Sequence, residues 1–591
     1  MKYIQNLRTH TKIILASVLV CSGLAIPIAC KKSFLEQTNT FQSTVGSTFQ
    51  KSGDVVALVN SIYDTYQNSN LLKKSIWYYA NFQTHDWFNY GNDIIWNYYA
   101  IPADFGALPD FWNNAYIGIA RANAAFSIIQ TAKDNGVVTA DLAARLAGEA
   151  YFLRGMTYYY LAGTFGGVPL EINTDLATPT SGLTPRTTQD SVFAQVVKDM
   201  DSAALLLPWK EDLPGSELGR ATRGTALGYA GAARMWLKDY AGAIQNFNAL
   251  DGKYHLLQNF VDVHEFSNQN NDESLFEIQF ELPPGGSQSW DGSWNPPGGE
   301  LGWIDAFSWP WEISGEGYDY GNPGLWYSYQ DGDKRKLATI CGPGDSSVSP
   351  GIVARGGIRG YTPVKSGFAA KNPLYIGDDG KAINTCGTAK LPWYGDENGA
   401  KRTGYYCAKH WRDPNLTGSN SDDNGVQKIF GSQNQSMLRY AEVLLDRAEC
   451  KVRTGDVAGA MADLKLVRNR AFGGTAPDVM KDGLNYDGTP AAAITDPLQM
   501  VLSEYRHELT GEYSLFYDLR RAGTQEAIDF IQNTYGTKAN STNPVENPYG
   551  PTHDGKLHGL FNNSLTAERE LLPIPQSAIS LNPNLTQNPG Y

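Results

Sequence analysis

The sequence predicts a mainly α-helical protein: a repeat-like scaffold of paired helices that carries a loop-rich insertion with short strands. Helical periodicity occupies both ends of the chain and stops in the middle. From Asp54, "DVVALVNSIYDTYQ" sets Val55, Leu58, Val59, Ile62 and Tyr66 on one face. Two later stretches have the pattern of close-packed helix pairs. In "GRATRGTALGYAGAARMWLKDYAGAIQNFNAL" the first half is lined by Gly224, Ala226, Gly228, Ala230, Ala232 and Ala233. After a break at Lys238-Asp239, the second half carries Tyr240, Ala243, Ile244, Phe247 and Leu250. Small residues let two helices approach, and larger ones fill the groove between them, which is how a tetratricopeptide pair is built. "MLRYAEVLLDRAECKVRTGDVAGAMADLKLVRNRA" repeats the design with Ala441, Ala448, Ala458, Ala460, Met461, Leu464 and Val467. The spacing is irregular, so the expectation is a repeat-like scaffold rather than a regular solenoid.

Taken in order, residues 1–29 read as a secretory leader, with Lys2, Arg8 and Lys12 before an apolar run over 13–28. Ala29 then places a small residue before Cys30, as at the lipidation site of a bacterial lipoprotein, although Pro27 stands where an aliphatic residue is usual. Cys21, preceded by Val20, fits less well. Ordinary secretion with Cys30 as a leftover thiol is the alternative. Residues 30–53 are polar and read as a tether. Residues 54–280 form an N-terminal helical region. Within it, "FWNNAYIGIARANAAFSIIQTA" and "TADLAARLAGEAYFLRGMTYYYLAGTF" are helical, the second stopped by Gly166-Gly167 and Pro169. "RTTQDSVFAQVVKDMDSAALLL" opens on Thr and Asp cap candidates.

Residues 281–435 turn to Gly, Pro, Asn, Asp, Trp and Tyr, and periodicity is lost. A structureless loop of that length is unusual, so short strands and packed loops are expected there. Residues 436–591 return to helix and end in an extended tail stiffened by Pro573, Pro575, Pro583 and Pro589. All of these regions are expected to form one unit in space. No stretch after the leader has about 18 uninterrupted apolar residues, so no membrane-spanning helix is predicted.

The totals exclude some functions. With 42% apolar and 18% charged residues the chain is a folded protein. Its net charge of -13 opposes a nucleic-acid partner, which needs a basic footprint. Four cysteines follow Cys30. Cys450 sits in a helical pattern and reads as a buried thiol, while Cys341, Cys386 and Cys407 leave one bridge open without choosing its ends. The eight His are scattered with no H-E-x-x-H, so no metal or other cofactor is indicated. "NSDDNG" from Asn420 imitates half a calcium loop, but Gly431 occupies the place of the closing Glu, and a polar loop is the better reading.

Several motifs, in this order, resemble the SusD/RagB family of outer-membrane glycan-binding lipoproteins. They are "CKKSFLEQ", "GEAYFLRGMTYYYLAGTFGGVPL", "LRYAEVLLDRAEC", "EYRHELTGEYSLFYDLRRAG" and the ending "LLPIPQSAISLNPNLTQNPGY". The resemblance spans Cys30 to Tyr591. It implies a tetratricopeptide-like body beneath a variable loop face, with no enzymatic activity. It implies a place on the cell surface of Bacteroidetes, lipid-anchored in the outer membrane. The expected partner is a SusC-type TonB-dependent transporter, on which the protein acts as a lid that delivers oligosaccharides, or peptides in some members. Arg506, Glu508, Glu512 and Asp518, at helical spacing, are expected to be helix-packing ion pairs.

The segment from Ser289, "SWDGSWNPPGGELGWIDAFSWPW", holds Trp290, Trp294, Trp303, Trp309 and Trp311, five of the fourteen Trp. The earlier loop "HDWFNYGNDIIWNYYAIPADFG" adds Trp87, Tyr90, Trp96, Tyr98 and Tyr99 beside Asp86, Asn89, Asn92 and Asp93. A flat ring covers the C–H face of a sugar, and neighbouring Asp and Asn groups fix its hydroxyls. These rings are the candidate ligand platform, with Trp87, Tyr90, Trp96, Tyr98, Asp86 and Asn92 as contacts from the earlier loop. The bland alternative for each Trp is burial in the core. Trp112 and Trp236, on helical stripes, and Trp326 are expected to pack. A glycoside hydrolase would need a carboxylate pair, for which Asp291, Glu300, Asp305, Glu312 and Glu316 are available, but no spacing singles one out.

Overall fold

In the computed structural model, six of the helices start where a short polar side chain serves the open N–H groups of the first turn. The structure describes residues 49–68, 70–89, 92–97, 99, 101–175, 182–281, 308, 319–342, 345–354, 394–395, 401–402, 405–414, 431–483, 490–535 and 565–591. Helix α1 covers Ser52–Gln67 and α2 covers Ala107–Asp134. Thr139 caps α3 (Ala140–Phe165), accepting from the Leu142 amide, and Thr188 caps α4 (Gln189–Leu206) in the same way from Ser191. Thr222 and Thr225 form a capping box at the start of α5 (Arg223–Trp236). Asp239 caps α6 (Tyr240–Asn248). After the central region come α7 (Tyr440–Arg453), α8 (Val457–Ala471, capped by Asp456) and α9 (Pro497–Leu509, capped by Asp496, with Pro497 in the first turn). Helices α10 (Leu515–Ala522), α11 (Thr524–Tyr535) and α12 (Gln576–Leu581) complete the chain.

Successive helices pack on one another from α2 through α6, α6 meets α7, and α7 packs on both α8 and α9. The small residues of α5 have the predicted use. A Cβ at Gly231 would strike the Phe247 ring, one at Gly224 the Tyr254 ring, and one at Gly228 the Leu438 side chain. The two predicted helix pairs are therefore α5–α6 and α7–α8. Val55–Tyr591 groups as one unit and Met1–Asp54 as another. Among the described residues no helix is long and apolar enough to cross a membrane. Cys30, Cys386 and the acidic stretch from Asn420 lie outside them. Cys341, Cys407 and Cys450 are buried free thiols.

Where helical periodicity fails, the described chain forms short strands and three short helices, 323–328, 335–339 and 350–354. Among the described residues all sheets are two-stranded and antiparallel. Strand β1 (Trp87–Asn89) pairs with β3 (Asp319–Gly321), and β2 (Ser274–Ile278) pairs with β8 (Gln435–Arg439). Strand β4 (Ile340–Cys341) pairs with β7 (Tyr406–Cys407), and β5 (Tyr394–Gly395) with β6 (Lys401–Arg402).

At the end of α3, Gly166 takes φ +73° and donates its amide to Ala162, the left-handed stop that glycine allows without strain. At Gly167 a Cβ would collide with the Thr187 carbonyl oxygen, which belongs to backbone and cannot rotate away. Gly167→Ala is expected to destabilise the protein by about 1–3 kcal/mol, read as a lowered urea midpoint with unchanged slope. The C-terminal tail fastens onto this corner. Arg186 donates to the Thr586 carbonyl (2.7 Å) and to Asn588 Oδ1 (2.6 Å), and Asn588 Nδ2 donates to the carbonyls of Phe165 (3.0 Å) and Leu572 (2.7 Å).

Two buried charge clusters hold the C-terminal helices, the first to the rest of the chain and the second to one another. In the first, five cations, Arg335, Lys409, Arg439, Arg468 and Arg470, meet five carboxylates, Glu273, Asp333, Glu504, Glu508 and Glu512. In the second, Glu442, Asp446 and Glu449 of α7 lie near Asp518 of α10 and share chiefly Arg521. Glu508, Glu512 and Asp518 thus have named ion-pair partners, and Arg506 pairs with Asp86.

Candidate ligand-binding face

The loop between α1 and α2 is built from the inside out. A π-helical turn, Leu72–Trp77, leads into the short helix Tyr78–Phe82 and then β1. Asp86 is buried and holds Arg506 of α9 through Nε (2.9 Å) and Nη2 (2.8 Å), while Thr510 Oγ1 also donates to it. The Trp87 indole donates to Thr510 Oγ1 at 2.8 Å. Trp96, in the 3-10 turn Asn92–Asn97, packs edge-on against Tyr78 and Phe105. Asn97 Nδ2 ties that turn to the carbonyls of Phe82 (2.9 Å) and Trp87 (2.8 Å), and the Tyr99 hydroxyl donates to Gln83 (2.5 Å).

This corrects part of the sequence expectation. Trp87 and Trp96 are 0% exposed, and Asp86 is buried as a counter-ion. Their rings and carboxylate hold the loop to α9 and to the short helix; they present no face to a ligand. Tyr99 is likewise buried. Tyr90, Tyr98, Trp290, Trp294, Trp303, Trp309 and Trp311 lie outside the described residues, as do Asp291, Glu300, Asp305, Glu312 and Glu316. Asn92 begins the 3-10 turn, and its side chain is not among the described groups.

What the structure does assemble is a strand platform. Tyr320 on β3 lies between Phe88 on β1 (5.8 Å between ring centroids) and Tyr406 on β7 (5.0 Å). The Gly321 amide donates to the Tyr405 carbonyl at 2.8 Å, joining the β1–β3 and β4–β7 pairs. Buried Asp319 accepts from Lys73 (2.5 Å) and Asn89 (2.8 Å). Burial pushes its carboxyl upward, opposed by the Lys73 ammonium. Sequence reasoning missed Lys73, because a lysine in a helical run reads as solvated. Trp326, expected to pack, is half-buried beside the platform. Its indole donates to Asp345 (2.7 Å), and the Lys336 ammonium lies 3.1 Å from its ring centroid. Trp112 is buried and Trp236 half-buried, stacked on Phe193.

The platform fixes one end of each aromatic segment in the chain. The stretch with the five clustered Trp runs from the residues after β2 to Asp319 of β3, and the earlier loop leaves β1 at Asn89. Among the described residues no group of three or more His, Cys, Asp or Glu is arranged to hold a metal ion.

The sequence model of the SusD family matches residues 284–591, more than half of the chain. The chain belongs to the SusD family. A second model, described as starch-binding associating with outer membrane, matches residues 33–237 of this SusD-family chain. The chain is similar to SusD-like protein P2 of Formosa agariphila, 24% identical over 519 residues that cover 84% of this chain and 83% of that protein. Among solved structures, a SusD homolog from Bacteroides thetaiotaomicron superposes with TM-score 0.66 at 20% identity, covering 93% of this chain and 99% of that one. Surface glycan-binding protein A from Bacteroides fluxus superposes with TM-score 0.63 at 20% identity, covering 92% and 100%. These likenesses establish the SusD fold from the N-terminal helices to the tail.

Proposed function

We propose that this SusD-family protein captures oligosaccharides at the cell surface and passes them to a SusC-type TonB-dependent transporter, on which it acts as a lid. Cys30 anchors it by lipid to the outer membrane, facing outward, and it performs no catalysis. The observation that carries the reading is the strand platform. The β1–β3 pair, locked by Asp319, Lys73 and Asn89, stands where one aromatic-rich segment leaves a strand and the other enters one. With Trp87 and Trp96 committed to the interior, the contacts fall to Trp290, Trp294, Trp303, Trp309 and Trp311, with Tyr90 and Tyr98 beside them. Covering about 60 Å2 of a sugar's apolar face stabilises a complex by about 1.5 kcal/mol, roughly tenfold in affinity.

Isothermal calorimetry against oligosaccharide and peptide panels tests the reading. Saturable binding of one glycan class is expected, and alanine at one or more of the five Trp should weaken it about tenfold while the melting temperature holds. Heat with peptides alone would transfer the protein to the peptide-binding branch of the family. Release of reducing ends would make it a hydrolase. Co-purification with a TonB-dependent transporter from membranes is the expected partner result.

A further inference from the structure

The two aromatic segments take root side by side. Strands β1 and β3 run antiparallel with Asn89 opposite Asp319, so the last residue of β1 and the first of β3 stand at the same end of the ribbon. The earlier loop leaves from Asn89, and the segment with the five clustered Trp arrives at Asp319. Facing residues in an antiparallel pair have Cα atoms about 4.5–5.5 Å apart. The other end of the ribbon is tied to the body, by the Trp87 indole on Thr510 and the Gly321 amide on the Tyr405 carbonyl.

Beside these roots lies the π-helical turn Leu72–Trp77, an uncommon conformation that is frequent at functional sites. It carries two consecutive lysines, and each grips one segment. Lys73 donates to Asp319 Oδ2 at 2.5 Å, while Asn89 donates to Oδ1 of the same carboxylate at 2.8 Å. One aspartate thus joins both strands to the turn. Lys74 pairs with Asp93 (3.1 Å) in the 3-10 turn Asn92–Asn97 of the earlier loop. The π-helical turn is itself fixed. The Trp77 indole donates to the Gly511 carbonyl (2.9 Å), and the Lys73 ammonium lies 3.7 Å from the centroid of that ring.

Stability alone does not call for this arrangement. Apolar residues of similar volume often stabilise a core as well as a buried ion pair does. A partly exposed pair such as Lys74–Asp93 adds little. What two pairs from adjacent residues of one turn do supply is a set distance between the chain segments they hold. We propose that Lys73 and Lys74 are positioning residues of the ligand face, setting the two aromatic segments at the spacing at which one oligosaccharide lies across both. The proposal rests on the carbohydrate reading above and adds that the ligand is a chain of several rings, recognised at two places at once. A ligand held at two linked places gains from the second only when their spacing matches its own. Neither lysine touches the ligand.

Calorimetry on the full chain with malto-, cello-, xylo- and manno-oligosaccharides, from disaccharide to hexasaccharide, tests this beside Lys73→Met, Lys74→Met, Lys74→Arg and Trp303→Ala. For the glycan class that binds, affinity of the natural protein should climb by about tenfold or more with length. Both Met variants should lose most of that climb while holding the disaccharide nearly as before, and Lys74→Arg, which keeps the charge, should retain it. If Lys73→Met, at a buried position, fails to fold, Lys74→Met decides, because its pair is partly exposed and its loss should leave the melting temperature unchanged. A loss by the same factor at every length is what general loosening of the face would give, and it would overturn the proposal. Affinity that does not grow with length, or lysine variants that bind like the natural protein while Trp303→Ala binds more weakly, would overturn it too and leave the carbohydrate reading standing. No binding of any oligosaccharide would overturn both.

Discussion

Replacing Glu508 by alanine is expected to destabilise the protein by about 3–5 kcal/mol, as removal of one partner from a buried ion pair typically does. Three guanidiniums converge on this carboxylate: Arg439 (2.6 Å), Arg470 (2.5 Å) and Arg335 (3.0 Å). Burial alone would raise the Glu508 pKa, but Arg470, Arg439 and Arg335 outweigh it and hold the carboxyl at about 2. The cluster around it balances five cations against five carboxylates, so deleting one negative charge leaves buried arginines facing one another. The loss should appear as a lower urea midpoint. Glu508→Gln, which keeps the shape and one acceptor, should cost less. Adding Arg470→Met to Glu508→Ala should recover part of the stability, because it restores the charge balance. A loss under about 1 kcal/mol for Glu508→Ala would show that the cluster is not a main prop of the fold.

The second cluster should make the protein less stable as pH rises. Asp518 is fully buried, 2.9 Å from Arg521 Nη1 but without an aligned hydrogen bond to either oxygen. Burial first, and Asp446 next to it, push its pKa up to about 8 against the pull of Arg521. Glu442, Asp446 and Glu449 are raised as well, chiefly by burial. The folded state therefore holds protons that the unfolded chain releases near the ordinary carboxylate range. The associated stability is complete below about pH 4 and is lost as pH climbs through about 8, at up to about 1.4 kcal/mol per pH unit for each proton of difference. Urea denaturation from about pH 7 to about pH 9, above the range where the buried histidines His85, His264, His410 and His507 would regain protons on unfolding, should show a falling free energy of unfolding. Asp518→Asn, which cannot ionise, should flatten that fall and overtake the natural protein near pH 9. A profile as steep in the variant would place the proton elsewhere.

The helical body was legible because its signals are local. The Thr188 cap of α4 acts within a few residues of itself, and Gly231 of α5 answers Phe247 of the very next helix. The ion-pair character of Arg506 and Glu508 was also legible, since charges at helical spacing beside apolar residues must find partners. Which partners they find was not. Asp86 lies 420 positions from Arg506, and Arg335 lies 173 from Glu508. The same gap explains the error at the earlier loop. An aspartate beside two tryptophans looks like a sugar clamp, yet here the aspartate answers an arginine on α9 and the indoles fill the space around it. Loop aromatics lack the periodicity that tells an inward from an outward face in a helix.

The tail's hold on the end of α3 has a consequence for how the protein is made. Arg186 and Asn588 are 402 positions apart, and the Phe165 carbonyl waits on the same asparagine. Such contacts form only after a very long loop has closed. A growing polypeptide can assemble its early helices, but that corner stays open to water until Asn588 has been made. The tail segment works as a latch, so this corner matures later than the helices it closes over.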